Sequence, residues 1–235
     1  MTPGEPATRY RHFHDQLDTL KQRLLEMSQH AEELVALSME ALLNRDSGKA
    51  DAVLDGDREI DVLEVEVDQL AVSLLALQQP MARDLRFIIS GIKISSDLER
   101  VGDHAVNIAQ SAQRLIAMSS PLGSTPEIED MARRARRMLS ESLDAFIRAD
   151  GALGRQVCKE DDQVDALHDS IFRILLTRMA ENPKTISAAL ELLLVTRNLE
   201  RVADLATNIG EDAVFMAEGK QIKHHREERE IEPRR

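Results

Sequence analysis

Residues 98–109 read LERVGDHAVNIA, and 101 residues further on residues 199–210 read LERVADLATNIG. Leu, Glu, Arg, Val, Asp, Ala, Asn and Ile occupy the same places in both, eight of the twelve. A second match lies upstream. There Asp57, Asp61 and Leu63 recur 104 residues later as Asp161, Asp165 and Leu167, while Pro80 and Pro183 stand at equivalent turns. Duplication of one unit is the simplest account. Within the unit, Ile94, Leu98, Val101, Ala105, Ile108, Ala112 and Leu115 step by three and four, as do Ile60, Leu63, Val67, Leu70, Leu74 and Leu77. That spacing is the apolar stripe of an amphipathic helix, which must be buried against neighbours.

Working outward, turn chemistry is sparse: 10 Gly and 7 Pro among 235 residues, so the segments between turns are long. Runs rich in Ala, Leu, Glu, Arg and Met predict helices over about 8–45, 50–78, 82–118, 127–149, 153–181 and 184–218, and no strand. The breaks are Asp46-Ser47-Gly48, Pro80, the loop 119–126, Asp150-Gly151 and Asn182-Pro183. In the loop, Thr125 is placed to cap the fourth helix, with Pro126 at its first position, and Gly219 is placed to close the sixth. The fold class is therefore all-α: two tandem three-helix bundles, six long antiparallel helices with an internal pseudo-twofold repeat. The first repeat spans 1–120 and the second 121–219, and 220–235 form a charged, flexible tail.

Composition excludes several functions. Trp is absent, and 1 Tyr with 5 Phe leaves too few aromatics for base-stacking platforms. A net charge of −12 opposes both nucleic-acid binding and a polybasic membrane anchor, and favours cations or basic partners. The single Cys158 and the absence of a signal-peptide pattern at the N-terminus point to a reducing, cytoplasmic setting. The most apolar windows, 70–77 and 190–195, are far short of the ~20 residues needed to span a bilayer.

On a helical wheel Glu99, Asp103 and Asn107 fall almost opposite the buried stripe of the third helix, four apart, and Glu200, Asp204 and Asn208 do the same in the sixth. The second helix carries Asp57, Asp61, Glu64 and Asp68, mirrored in the fifth by Asp161, Asp165 and His168. If consecutive helices pack, these rows face one another and gather four to six carboxylates. Their repulsion is relieved by protonation, by Arg100 and Arg201, or by bound cations. All-oxygen sites suit Mg²⁺, Ca²⁺, Mn²⁺ or iron, and His104 or His168 would admit Fe or Zn. One acidic row on a chain that is 31% charged reads as a solvated helix face, but its repetition gives the metal site equal standing.

Other features read as structural. His224-His225 is a solvated polar pair, Arg133, Arg134, Arg136 and Arg137 belong to a salt-bridged helix, and Met27, Met39 and Met138 fill the core. Templates for enzymes are missing: no GxxxxGKS/T loop, no GxSxG elbow, no HExxH helix and no Glu-x-x-His pair. A carboxylate cluster on the outside of a bundle is a poor place to exclude water from a reaction. A metal-dependent hydrolase using those carboxylates is the rival reading, and a metal-free helical adaptor is the plainest one.

The residues 79–86, QPMARDLR, with the two motifs LERVGDH (98–104) and LERVAD (199–204), resemble the PhoU family of phosphate-uptake regulators over roughly residues 10 to 220. The resemblance implies two similar three-helix bundles with multinuclear clusters, often of iron or zinc, on the bundle surface. It carries the ligand role onto Glu99, Asp103, Glu200 and Asp204, and further onto Asp57, Asp61, Asp161, Asp165, Asn107 and Asn208. Leu205 stands where the family commonly keeps a His, which implies a second cluster with fewer metals or none. The implied activity is that of a cytoplasmic, dimeric, non-enzymatic adaptor restraining phosphate uptake and phosphate-starvation signalling. Its implied partners are the ATPase subunit of the phosphate ABC transporter and a membrane sensor histidine kinase.

Overall fold

Among the described residues six helices form where the apolar spacing places them: α1 (Glu5–Asn44), α2 (Ser47–Gln78), α3 (Ala82–Ala117), α4 (Pro126–Arg148), α5 (Gly151–Glu181) and α6 (Ile186–Glu218). The computed structural model describes residues 5–78, 80–118 and 122–222. Expectations for Gln79, for Ser119 to Pro121 and for the tail beyond Ile222, His224-His225 included, lie outside the described residues.

Boundaries shift by a turn or less, and local capping explains the starts of α2, α5 and the turn before α6. Asp46 Oδ1 accepts the Lys49 N–H at 3.2 Å, so α2 starts at Ser47 rather than after the Ser-Gly pair. Asp150 Oδ1 accepts from the N–H groups of Ala152 and Leu153, both at 3.0 Å, which starts α5 at Gly151. A short 3₁₀ turn, Pro183–Thr185, precedes α6, with the Asn182 side chain accepting from the Lys184 N–H. Thr125 has the extended backbone of a cap ahead of Pro126, but its side chain makes no capping bond; it is buried instead. Gly219 closes α6 in the left-handed region at φ +70, donating its N–H to Phe215 O.

Helices α1, α2 and α3 pack together, as do α4, α5 and α6. The stripe of α3 is buried throughout, from Ile94 to Leu115, and Met27, Met39 and Met138 lie in the core. The two bundles do not keep separate interiors: one continuous apolar cluster runs through both. Phe87 of α3 stacks on Phe146 of α4 with centroids 5.0 Å apart. Helices α3 and α6 also pair antiparallel along a polar seam. Asp212 meets Ser90 (3.5 Å) and Lys93 (3.6 Å) at one end, His104 Nδ1 meets Asn198 Oδ1 (2.8 Å) in the middle, and Arg114 meets Glu191 (2.9 Å) at the other. Three of the four singled-out arginines of α4 are held as expected: Arg133 and Arg134 by Asp130, Arg134 also by Gln163, and Arg137 by Glu160 of α5.

Candidate metal centre

The α2–α3 hairpin turns the acidic rows toward each other. Gly102, inside the motif, makes room: a Cβ there would lie 2.7 Å from Asp57 Oδ1 and 3.0 Å from Ile60 Cδ1, so Asp57 rests directly on the backbone of α3. Burial, then repulsion from Asp61 and Asp103, raises the Asp57 carboxyl above the usual range. Glu99 is raised in the same way, by burial and then by Asp103, Glu64, Asp61 and Asp57. Glu64 follows, raised by burial and then by Asp68 and Asp61. Five carboxylates, those of Asp57, Asp61, Glu64, Glu99 and Asp103, thus share one field.

The α5–α6 hairpin repeats the arrangement. Asp161 is half-buried, and burial followed by repulsion from Asp165, Asp204 and Asp162 pushes its carboxyl up to about 6. Its Oδ1 is buried without a hydrogen-bond partner, and so is the nearby Thr207 hydroxyl, which offsets part of the shift. Asp165 is raised by burial and then by Glu200, Asp204 and Asp162, with His168 acting in the opposite direction. His168 Nδ1 lies 3.9 Å from Glu200 Oε1, and Arg201 holds Asp204 at 2.9 Å.

Eight of the ten residues singled out from sequence therefore fall into two clusters: Asp57, Asp61, Glu99 and Asp103 in one, Asp161, Asp165, Glu200 and Asp204 in the other. Asn107 is exposed and Asn208 half-buried, and among the described residues no hydrogen bond joins either to the carboxylates. His104, read from sequence as a nitrogen that would admit Fe or Zn, has its Nδ1 engaged by Asn198 across the seam; the imidazole that meets carboxylates is His168. Two features escaped the sequence reading. Gly102 had a visible signal, a glycine inside a helix that costs about 1 kcal/mol against Ala. The seam had none, because its partners lie far apart in the chain.

The donor set fits a hard cation. Carboxylate oxygens crowd together, their charged forms are disfavoured by burial and by each other, and one buried oxygen of Asp161 has no partner. In the side-chain conformations present, however, no three His, Cys, Asp or Glu side chains among the described residues are placed to hold a metal ion together.

The PhoU-domain family model matches residues 24–112 and 128–213, one match in each half. The chain belongs to the PhoU family. The phosphate-specific transport system accessory protein PhoU homolog of Clostridium acetobutylicum is 36% identical over 89% of this chain and 96% of its own. That of Aquifex aeolicus is 38% identical, covering 89% and 94%. The crystal structure of PhoU from Pseudomonas aeruginosa superposes with a TM-score of 0.85 at 36% identity, covering 88% of this chain and all of that one. The phosphate transport system regulatory protein PhoU from Streptococcus pneumoniae gives 0.82 at 26%, covering 90% and 99%. The six-helix, two-repeat architecture is thus the PhoU fold, and both carboxylate clusters lie within the matched segments. No helix among the described residues is long and apolar enough to cross a membrane.

Proposed function

We propose that this protein is a cytoplasmic accessory regulator of phosphate uptake that restrains transport and phosphate-starvation signalling when phosphate is plentiful. The observation that carries the reading is the family match in both halves, with relatives of nearly the same length named for the phosphate transport system. In this reading the chain is not an enzyme but an adaptor, dimeric, with its repeats 1–120 and 121–219 joined by a shared core. It contacts the ATPase subunit of the phosphate ABC transporter and a sensor histidine kinase.

Cations, iron or zinc above all and otherwise Mg²⁺, Mn²⁺ or Ca²⁺, occupy the two clusters, fewer of them in the second, where Leu205 follows Asp204. Glu99, Asp103, Asp57 and Asp61 hold them in the first repeat, and Glu200, Asp204, Asp161 and Asp165 in the second, with Asn107 and Asn208 as outer donors. A bound cation neutralises the cluster and changes the charge that the hairpin presents to a partner. The chain's own residues set this up: Gly102 admits Asp57 to the face of α3, and Arg201 steadies Asp204.

The test is replacement of the native copy in a strain that carries this protein, reading phosphate uptake and a phosphate-starvation reporter. Loss of the protein is expected to derepress both in high phosphate. The Glu99→Ala, Asp103→Ala, Glu200→Ala, Asp204→Ala variant is expected to fail to restore repression. Normal phosphate control in the deletion strain would overturn the regulatory reading, and full rescue by the variant would overturn the role of the clusters.

A further inference from the structure

The two clusters follow one plan but not one set of donors. On α2 the acidic row is Asp57, Asp61, Glu64 and Asp68; 104 residues later the row of α5 is Asp161, Asp165, His168 and Phe172. The second repeat thus has an imidazole and a phenyl ring where the first has two carboxylates. The exchanged places correspond in space as well as in sequence. In the first hairpin, after burial and Asp103, Glu64 is the next group that raises Glu99. In the second, His168 Nδ1 lies 3.9 Å from Glu200 Oε1, the counterpart of Glu99. Burial and then Asp68 raise Glu64, so the fourth carboxylate of α2 belongs to the first cluster, whereas Phe172 is half exposed and offers no donor. The first cluster gains no nitrogen from its own motif either, because His104 is turned to Asn198 across the seam.

We infer that the two clusters select different cations: the first, all oxygen, a hard ion such as Mn²⁺ or Fe²⁺, and the second a borderline ion such as Zn²⁺, held through the His168 nitrogen beside Glu200 and Asp165. The inference rests on the reading that cations occupy the clusters, and adds which kind goes to which. Carboxylates suit Mg²⁺, Ca²⁺ and Mn²⁺, while an imidazole shifts a site toward zinc. The 3.9 Å between His168 and Glu200 is too long for a hydrogen bond, yet two bonds of about 2.0–2.1 Å to one shared ion can span it. His168 also opposes the rise that burial and Glu200 impose on Asp165, so the ring faces both carboxylates. One turn further on, Asp161 keeps its buried oxygen without a partner. Charge points the same way: Arg201 already pairs with Asp204, so the second cluster asks less of a cation than the first. The exposed Asp162, where the first repeat has Arg58, adds charge there but no nitrogen. Cys158 is not the softer donor. Its thiol faces Thr207 O at 3.8 Å, and burial pushes it up to about 11.

The experiment uses the full chain, stripped of metal, in two forms that keep one cluster each: Glu200→Ala, Asp204→Ala keeps the first, and Glu99→Ala, Asp103→Ala keeps the second. Each is dialysed against mixtures of Zn²⁺ and Mn²⁺ of graded ratio, and the bound metals are counted by elemental analysis. The second cluster is expected to become half zinc at a Zn²⁺-to-Mn²⁺ ratio about tenfold or more below the ratio that the first needs. Exchanging the distinguishing donor within these forms, His168→Glu in the one and Glu64→His in the other, is expected to exchange the preferences. The reciprocal pair keeps the test decisive should one replacement disturb its hairpin, which the helical spectrum reports. Equal ratios for the two clusters, a second cluster that takes neither ion, or a His168→Glu protein that keeps the zinc preference would overturn the inference while leaving a metal-loaded first cluster in place. Binding of neither ion by the wild-type chain would overturn this inference together with the reading on which it rests.

Discussion

Asp161 shows how one residue can be legible in identity and hidden in state. The repeat pointed to it as the counterpart of Asp57, but its burial and its unpartnered oxygen depend on how α5 meets α6. Its carboxyl titrates near 6 in the folded chain against 3.8 for the ordinary group, so the folded protein holds this proton more tightly than the unfolded one. The resulting stabilisation is complete below pH 3.8 and is lost as the pH rises through about 6. For metal-free protein, Asp161→Asn is therefore expected to stabilise at pH 7.5 by about 1 kcal/mol, a figure discounted for a half-exposed site, and to do little near pH 4. Urea denaturation at both pH values checks this: an equal effect at the two would mean that the carboxyl is not shifted. The expected gain in melting temperature at the higher pH is about 2–4 °C.

At the scale of the element, the helices were legible because their stripes are long and their interruptions few. All six appear within a turn of where the spacing places them, and the differences at α2, α5 and the turn before α6 trace to Asp46, Asp150 and Asn182, whose side chains cap the next segment. The closeness of paired helices was not legible, since it depends on contacts between residues dozens of positions apart. Gly154 and Gly210 bring α5 and α6 nearly backbone to backbone, and a Cβ on Gly154 would lie 2.6 Å from Gly210 O. Gly154→Ala is thus expected to destabilise by about 2 kcal/mol even though alanine favours a helix by about 1 kcal/mol, because the obstruction is main chain and cannot rotate away. Thermal melting of the variant beside the wild type checks this. An unchanged or raised melting temperature for Gly154→Ala would contradict the close approach.

For the whole molecule, the sequence showed two repeats but not how they join. Phe87 stacked on Phe146, the shared core and the seam from Asp212 to Glu191 join the pair into one body. Phe146 is fully buried, so Phe146→Ala is expected to cost about 3–5 kcal/mol and to lower a single unfolding transition rather than split it in two. Calorimetry showing two separated transitions would mean that the repeats fold independently. On this rigid frame the repeat places two clusters of carboxylates at equivalent positions, and their occupation by cations is the central claim. The most direct measurement is calorimetric titration of chelator-stripped protein with Zn²⁺, Mn²⁺ and, without oxygen, Fe²⁺, beside the Glu99→Ala, Asp103→Ala, Glu200→Ala, Asp204→Ala variant. Stoichiometric binding that the variant loses is expected, with the first cluster the fuller; no binding by the wild type, or equal binding by the variant, would show that the carboxylate clusters are not cation sites.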